Sequence, residues 1–230
     1  MSSLPDIAPN STAEAARAQL VKAGWLEVGT GDWSWTFAEP AGLLAARVTP
    51  FDPAYRLHAE ACLDGAPNRW LPQVHALLPL RLEGYVTLME RLHPAPEPAA
   101  QAFCAALGVS DQSGYAGVAA DRPFADGDDD LAALRTRIAA LIDAGARRYR
   151  LWGGSDIRPG NVMAAADGQL KLVDPLFMRG PAMVQAIAQR DAEPLADFSR
   201  AQLEDFLTIP AFVPGPETDD LRRRLAILYG

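Results

Sequence analysis

The two halves of the chain differ in how hydrophobic and polar residues alternate along the sequence. Residues 25–49 hold short aromatic and β-branched runs separated by glycine and proline, which predicts a three-stranded antiparallel meander. Residues 74–82 and 85–89 predict two further strands, with a hairpin turn at Gly84 between them. The first part of the chain is therefore expected to be rich in β-structure.

The rest of the pattern is mostly helical. The predicted helices cover residues 12–23, 54–63, 97–107 and 130–144, with two or three more in residues 182–230. One hairpin interrupts this second half over residues 161–173 and turns at Asp167-Gly168. Residues 114–130 predict a loop, and the acidic run Asp128-Asp129-Asp130 at its end is expected to cap the next helix.

Three prolines, Pro94, Pro96 and Pro98, mark a boundary between these two halves. We expect an α+β fold with two lobes. Residues 1–92 would form a lobe with about five antiparallel strands. Residues 93–230 would form a shorter, mainly helical lobe.

Composition restricts the class of protein. The chain has 230 residues, 49% of them hydrophobic and 22% charged, which is typical of a globular protein and too polar for a membrane span. Its net charge of -8 argues against a nucleic-acid partner. Residues 1–10 show no secretory leader, and the two cysteines lack metal-type spacing, so we expect a cytoplasmic protein with reduced thiols. The sequence does not indicate an oligomeric state.

The most informative stretch is the loop that precedes the predicted hairpin. Asp156 and Asn161 lie five residues apart, and Pro159 and Gly160 between them oppose a helix. Asp174 follows the second predicted strand, so the hairpin would bring it back beside Asn161. Carboxylate and amide oxygens are ligands that Mg²⁺ accepts. A plain turn is the alternative, because the loop residues also favour turns.

The spacing of an Asp, four residues, an Asn, a hairpin and a second Asp resembles the protein-kinase-like superfamily. This superfamily includes eukaryotic-type Ser/Thr kinases and bacterial aminoglycoside and choline kinases. The resemblance implies that Asp156 is the catalytic base that accepts the proton of a substrate hydroxyl. It also implies that Asn161 and Asp174 bind Mg²⁺, and that Arg158 lies near the transferred phosphate.

An earlier segment resembles the glycine-rich hairpin that covers the phosphates of ATP in this superfamily. Gly29 and Gly31 would be its first two glycines, with Ser34 in place of the third. The segment lies between two predicted strands, so it fits a dinucleotide-binding βαβ unit poorly. A glycine-bearing turn in a meander is the alternative.

Two further positions follow from the same resemblance. Arg47 stands where the family has the strand lysine that binds the α- and β-phosphates, and arginine keeps the charge on a bulkier group. Glu60, on the following predicted helix, is its preferred ion-pair partner, ahead of Glu39 and Asp52. A solvated helix face is the alternative for Glu60.

The stretch before the proline-rich boundary resembles the kinase hinge. Backbone groups of Glu90 and Leu92 would bind adenine, with Met89 behind the pocket. An edge strand that leads into a linker is the alternative.

The sequence also departs from the family pattern. Gly154 and Ser155 stand where the family has a histidine followed by arginine or glycine, and Pro175 follows the metal-binding Asp. No Ala-Pro-Glu-like motif follows, so the helical lobe is expected to be abbreviated.

The resemblance implies a bilobal protein-kinase-like fold and an ATP- and Mg²⁺-dependent phosphotransferase that acts on a hydroxyl of a small molecule or a protein. One alternative is a pseudokinase that acts as a protein-binding module. A second is an interaction domain with accidental matches, in which Asp156 and Asp174 would lie far apart.

Overall fold

A computed structural model of the chain describes residues 4–108 and 128–230. The predicted loop at residues 114–130 therefore lies outside the described residues except for its last three positions. As far as it is described, the chain packs into two compact units. The sheet unit comprises Met1–Pro53, His75–Met89 and Arg179–Gly230. The hairpin unit comprises Ala54–Val74 and Glu90–Met178.

The fold class is α+β, as predicted. The described strands are β1 (Leu26–Thr30), β2 (Trp35–Ala38), β3 (Leu44–Thr49), β4 (Val74–Pro79), β5 (Tyr85–Glu90), β6 (His93–Pro94), β7 (Trp152–Ser155), β8 (Val162–Ala164), β9 (Leu170–Leu172) and β10 (Leu176–Met178). The described helices are α1 (Ala13–Lys22), α2 (Pro53–Asp64), α3 (Glu97–Ala106), α4 (Asp129–Arg148), α5 (Gly180–Gln189), α6 (Arg200–Phe206) and α7 (Pro216–Leu228).

The sheet unit contains nearly all of a five-stranded sheet with the strand order β1-β2-β3-β5-β4. The first three strands form the predicted antiparallel meander, in which Thr36 of β2 is opposite both Gly29 and Arg47. Helix α1 begins at the cap Thr12, whose hydroxyl accepts a hydrogen bond from the Ala15 amide, and it buries Leu20. The sheet and α1 share one apolar core, so the unit is held by burial of both surfaces.

The hairpin unit has its own core, formed by α3, α4 and the β8–β9 hairpin. Leu107, Leu134, Ile138 and Leu172 are fully buried there. The predicted cap of α4 is confirmed, because the Asp128 carboxylate accepts a hydrogen bond from the Leu131 amide at 3.1 Å. Two small sheets complete the unit, with strand orders β10-β7 and β6-β8-β9.

Most predicted elements are present, and the predicted hairpin turns at Gly168, whose φ is +85°. The C-terminal part contains three helices, α5, α6 and α7, which pack within the sheet unit. One of the points at which the chain passes from the sheet unit to the hairpin unit lies between residues 89 and 90. It is close to the predicted lobe boundary at residue 92, which stays a prediction. Among the described helices, none has the length and apolar character needed to cross a bilayer.

Candidate active site

Asp156 lies at the start of a loop whose two ends are held together by backbone pairing. The loop follows β7, which pairs antiparallel with β10, so that Ser155 is opposite Leu176. The Asp156 amide donates to the Pro175 carbonyl at 2.7 Å. This pairing fixes the beginning of the loop beside the residue that follows Asp174.

Two glycines allow this close pairing. A Cβ at residue 153 would overlap the Phe177 ring on the facing strand, so Gly153 has no room for a side chain. Gly154 has a φ of +93°, a left-handed backbone that residues with a side chain rarely adopt. This left-handed backbone therefore explains why glycine, and not the histidine of the family, stands at residue 154 in this chain.

The Asn161 side chain joins the loop to the end of the hairpin. It is buried, and its amide nitrogen donates to three acceptors: the Asp156 carbonyl at 2.7 Å, the Asp156 carboxylate at 2.9 Å and the Asp174 carbonyl at 2.7 Å. The Val173 amide donates back to the Asn161 carbonyl at 2.9 Å. The structure thus brings Asp156, the Asn161 side chain and the backbone of Asp174 together, as a chance turn would not require.

Arg158 provides a positive charge at the exposed edge of this cluster. Its Nε lies 3.1 Å from Asp156 Oδ1, and its side chain is 62% exposed. An exposed ion pair of this kind contributes little to stability. The guanidinium has further N–H groups that can donate to an anion.

The oxygen atoms of the cluster fit a magnesium ion. The Asn161 amide nitrogen is used on protein acceptors, and its Oδ1 takes no part in those contacts. That oxygen and the carboxylate of Asp174, whose backbone the same side chain holds, are of the hard type that Mg²⁺ accepts. The described residues contain no group of three or more His, Cys, Asp or Glu side chains that could hold a metal. Mg²⁺ does not need one, because it commonly uses one or two carboxylates and takes its other ligands from water and phosphate.

Lys171 is a residue that the sequence analysis missed. Its Nζ lies 3.3 Å from the Glu90 carboxylate and 3.2 Å from the Leu71 carbonyl. Glu90 also accepts a hydrogen bond from the Gln73 amide at 2.8 Å. Lys171 thus ties the predicted hinge residue to the hairpin that ends at Asp174. In the sequence, the only indication that Lys171 lies near the site was its place on β9, two residues before Val173.

One backbone group of the predicted hinge already forms a hydrogen bond within the protein. The Glu90 amide donates to the Gln73 carbonyl at 2.9 Å, which continues the strand pairing beyond β4. The Glu90 carbonyl and the Leu92 backbone are therefore the groups that we predict to bind adenine.

The glycine-rich hairpin in the sheet unit is closed by a hydrogen bond from the Gly31 amide to the Ser34 carbonyl at 2.9 Å. Its tip packs within the sheet unit. The Trp33 ring lies 5.5 Å from that of Phe206, and the Asp32 carbonyl accepts from the Ala211 amide at 3.0 Å. The register of β1 shifts just before Gly29, which lies opposite Thr36.

Arg47 is engaged inside the same unit. Its Nε donates to the Ser34 hydroxyl at 2.7 Å, and its Nη2 lies 3.6 Å from Asp52 Oδ2. The ion pair that the structure shows is therefore with Asp52, which the sequence analysis ranked below Glu60. Glu60 pairs with Arg56 at 2.8 Å, one turn earlier on α2. Arg56 and Glu60 are four residues apart on α2, so their side chains are neighbours on the helix surface. The sequence prediction did not consider this local ion pair.

The cysteines are not candidates for a thiol nucleophile. Burial raises the pKa of the Cys62 thiol to about 12 and that of Cys104 to about 11. Cys62 Sγ lies 3.6 Å from His58 Nε2, but a thiol with so high a pKa stays protonated near neutral pH.

The fold and this cluster define an α+β protein in which a buried amide joins the Asp156 carboxylate to the backbone of Asp174. No protein-family model and no curated protein matches the chain. Among solved structures, it is similar to the aminoglycoside phosphotransferase APH(3'')-Id from Streptomyces rimosus, with 16% identity and a TM-score of 0.37. That match covers 95% of this chain and 100% of the other.

Two more solved structures are similar at the same level. A thermostable mutant of aminoglycoside phosphotransferase APH(4)-Ia, in a ternary complex with AMP-PNP and hygromycin B, shares 13% identity over 91% of this chain and 95% of the other, with a TM-score of 0.34. Cex1p shares 10% identity over 88% of this chain and 39% of the other, with a TM-score of 0.33. Two of the three belong to a class that the motif resemblance named, but likenesses this distant carry no argument about function.

Proposed function

We propose that this chain is an ATP- and Mg²⁺-dependent phosphotransferase that moves the γ-phosphate of ATP to a hydroxyl group. The observation that supports this most is the Asn161 amide, which bonds to Asp156 and to the Asp174 carbonyl at once. A turn needs only backbone hydrogen bonds, whereas this side chain orients the Asp156 carboxylate and holds the backbone of Asp174 beside it. Phosphoryl transfer uses such positioning together with charge neutralisation.

Each residue has a defined part in the proposed reaction. The acceptor oxygen attacks the γ-phosphorus, the bond to the β-phosphate oxygen breaks, and ADP leaves. Asp156 accepts the proton of the hydroxyl, and Arg158 offsets negative charge on the transferred group. Asn161 and Asp174 would hold Mg²⁺, which when bound neutralises phosphate charge.

The proposal also assigns nucleotide contacts to individual residues. Gly29, Gly31, Ser34 and Arg47 would contact the phosphates, as in the hairpin they resemble. Glu60 would support this site. Glu90 and Leu92 would bind adenine through backbone groups. A small-molecule acceptor is favoured over a protein, because the sequence has Pro175 after Asp174 and no Ala-Pro-Glu-like motif.

One observation favours a second candidate, a pseudokinase that acts as a protein-binding module. Arg47 and Ser34 bond to each other, and Trp33 at the hairpin tip packs against Phe206. These residues would have to release internal contacts in order to bind phosphates. A protein that keeps the contacts would retain the fold without transfer.

The proposed transfer is tested with Asp156→Asn, which keeps the shape of the side chain and removes its basicity. Release of ADP from ATP and Mg²⁺ is measured with water alone and with a panel of hydroxyl-bearing acceptors that includes hygromycin B and choline. We expect a loss of about 100- to 10,000-fold relative to the parent, the range typical of a general base. Asp64→Asn, at an exposed position at the end of α2, is the matched control and should retain activity.

A second measurement distinguishes the two candidates. A ligand that binds only the folded protein raises its melting temperature, so ATP should stabilise the parent more with Mg²⁺ than without it. Asp174→Asn should remove the Mg²⁺-dependent part. Equal transfer by parent and Asp156→Asn would refute the proposed base. Absence of both transfer and a Mg²⁺-dependent shift would favour the binding module.

A further inference from the structure

The sheet unit contains a cavity of about 530 Å³ that includes none of the residues assigned above. It lies among the first turn of α1, the turn after β4 and the segment 205–214 that begins at the end of α6. Its volume is within the range of roughly 300–1,000 Å³ that is typical of small-molecule sites. The cavity therefore has room for an organic ligand.

Three guanidinium groups line this cavity, and each already pairs with a carboxylate. The pairs are Arg17 with Glu27 at 3.2 Å, Arg81 with Asp205 at 3.0 Å and Arg222 with Asp219 at 3.2 Å. A guanidinium has five N–H donors, so a single ion pair leaves most of them unused. Arg81 is the most accessible of these groups, because its side chain is 51% exposed.

The three arginines are the positive groups of this lining. Glu14 and Asp205 also line the cavity, and Glu27 and Asp219 pair with two of the arginines from outside the lining. The arginines therefore offer N–H donors to an acid group rather than an excess of positive charge.

The remaining lining is apolar and aromatic. Leu80, Ile209 and Phe212 contribute apolar surface, and the Arg17 guanidinium lies 4.0 Å from the centre of the Trp35 ring. Arginine held on an aromatic face keeps its planar donors pre-oriented for an acid group. Apolar walls beside such donors suit a ligand that is apolar at one end and acidic at the other.

We propose that this cavity is a binding site for an amphipathic organic anion, with its acid group on Arg81 and Arg17 and its apolar body against Leu80, Ile209 and Phe212. The lining shares no residue with the proposed phosphotransferase site, although Thr30 and Trp35 are sequence neighbours of its Gly29, Gly31 and Ser34. The proposal does not depend on that function. The shared chemistry is an aromatic or aliphatic carboxylate or phosphate ester.

The test is isothermal titration of the full chain with three probes: 1-naphthylacetate, decanoate and phenyl phosphate. The neutral analogue 1-naphthylacetamide is the control for charge. We expect at least one anionic probe to bind with a Kd below about 1 mM, and the neutral analogue to bind about tenfold more weakly than 1-naphthylacetate if that probe binds. No binding by any of the three anions at that concentration would overturn the proposal.

Two pairs of variants localise the site. Val213 lines the cavity and is 74% exposed, so Val213→Glu adds a negative charge at little structural cost, and Val213→Gln is its neutral match. The glutamate should weaken the anion about tenfold and the glutamine by less than about twofold. Arg81→Gln should also weaken it, whereas Arg200→Gln, at an exposed position outside the lining, should not. Equal affinity in Val213→Glu and Val213→Gln would place the anion elsewhere and refute this site.

Discussion

Two hairpins carry the sequence motifs of this protein, and they differ in what their polar residues contact. In the hairpin unit, the Asn161 side chain bonds to the Asp156 carboxylate and to the Asp174 backbone carbonyl, so the residues of the motif meet one another. In the sheet unit, Arg47 bonds to Ser34 and pairs with Asp52, and Trp33 packs against Phe206. The first hairpin is organised around a cluster of oxygen atoms, and the second around internal packing.

This difference shows which kind of sequence motif predicts the contacts that its side chains make. Asp and Asn at fixed spacing around a hairpin specify where their side chains meet, because antiparallel pairing sets the register. Glycines specify only that the backbone can turn, and they leave the destination of neighbouring side chains open. The same resemblance therefore carries more information in the hairpin unit than in the sheet unit.

The largest effect is expected at Asn161. Replacement by leucine removes the donor from two backbone carbonyls, each worth about 1–3 kcal/mol when buried, and leaves the Asp156 carboxylate with its ion pair to Arg158. We predict a loss of phosphoryl transfer of at least about 100-fold, a magnitude that a misplaced catalytic group can produce, together with a clear loss of stability in urea unfolding.

Asn68 provides the matched control for that variant. It also makes two structural hydrogen bonds in the hairpin unit, to the Asp130 carbonyl and from the Trp70 amide. Asn68→Leu should therefore lower stability to a similar degree and leave transfer near the parent value once the protein is folded. If both variants lose transfer equally, the Asn161 contact is structural and the contrast between the hairpins fails.

The sequence predicted the loop, the hairpin and the three polar residues of the site, because each depends on local turn chemistry and strand register. It did not predict β7 and β10, which pair across about twenty residues of intervening chain. Strands of three or four residues carry too few alternating positions to stand out. It also missed Lys171, since the partner of an ion pair is set by tertiary packing.

A second test compares the two glycines of β7. A methyl group at residue 153 would overlap the Phe177 ring, whereas one at residue 154 would meet nothing within 4 Å. We predict that Gly153→Ala lowers the free energy of unfolding by about 2–3 kcal/mol through overpacking. Gly154→Ala should lower it by about 1 kcal/mol, because its backbone has φ of +93°.

Denaturant unfolding of both variants gives the comparison, and the pair Gly153→Ala with Phe177→Leu gives the mechanism. The smaller leucine side chain should restore part of the stability lost in Gly153→Ala. No recovery in the double variant would show that the overlap with Phe177 is not the cause, and the pairing of β7 with β10 would need another explanation.

The fold was predicted more completely in the sheet than in the packing of the C-terminal segment. The strands of the meander lie in short aromatic and β-branched runs bounded by glycine and proline, and five strands were expected and found. Nothing in the helical pattern of residues 182–230 indicated that this segment packs within the same unit as the sheet. Helical periodicity reveals which face is apolar but not which surface covers it.

The third test asks whether Arg47 serves packing or nucleotide binding. Arg47 and Asp52 are both mostly buried, so Arg47→Met should lower stability by about 3 kcal/mol by leaving Asp52 without this partner. If Arg47 contacts the phosphates as proposed, Arg47→Met should also weaken ATP binding by about tenfold or more. Both are measured, by urea unfolding and by nucleotide titration.

Arg56→Met is the matched control for Arg47, because Arg56 forms an exposed ion pair with Glu60. Its stability should change by less than about 1 kcal/mol. A change in ATP affinity of less than about threefold in Arg47→Met, together with the expected loss of stability, would assign Arg47 to internal packing alone and would contradict its proposed contact with the phosphates.

The smallest effect concerns Asp205, at the start of the segment that holds the tip of the glycine-rich hairpin. Burial raises the pKa of its carboxyl above the ordinary value near 3.8, against the opposing effect of Arg81. The folded protein then binds this proton more tightly than the unfolded chain. Asp205 therefore contributes stability that is fully present below its unfolded pKa and is lost as pH rises through the folded pKa.

This dependence is isolated by subtracting the unfolding free energies of Asp205→Asn from those of the parent across pH 3 to 7, since asparagine can still accept from Arg81. The difference should favour the parent most at the acid end and decline above the ordinary pKa. The same subtraction with Asp64→Asn, at an exposed site, should give no such slope. A difference that instead grows with pH would mean that the Arg81 ion pair outweighs burial in setting the pKa of Asp205. Charge rather than apolar packing would then hold this end of the segment, next to the contact between Phe206 and Trp33.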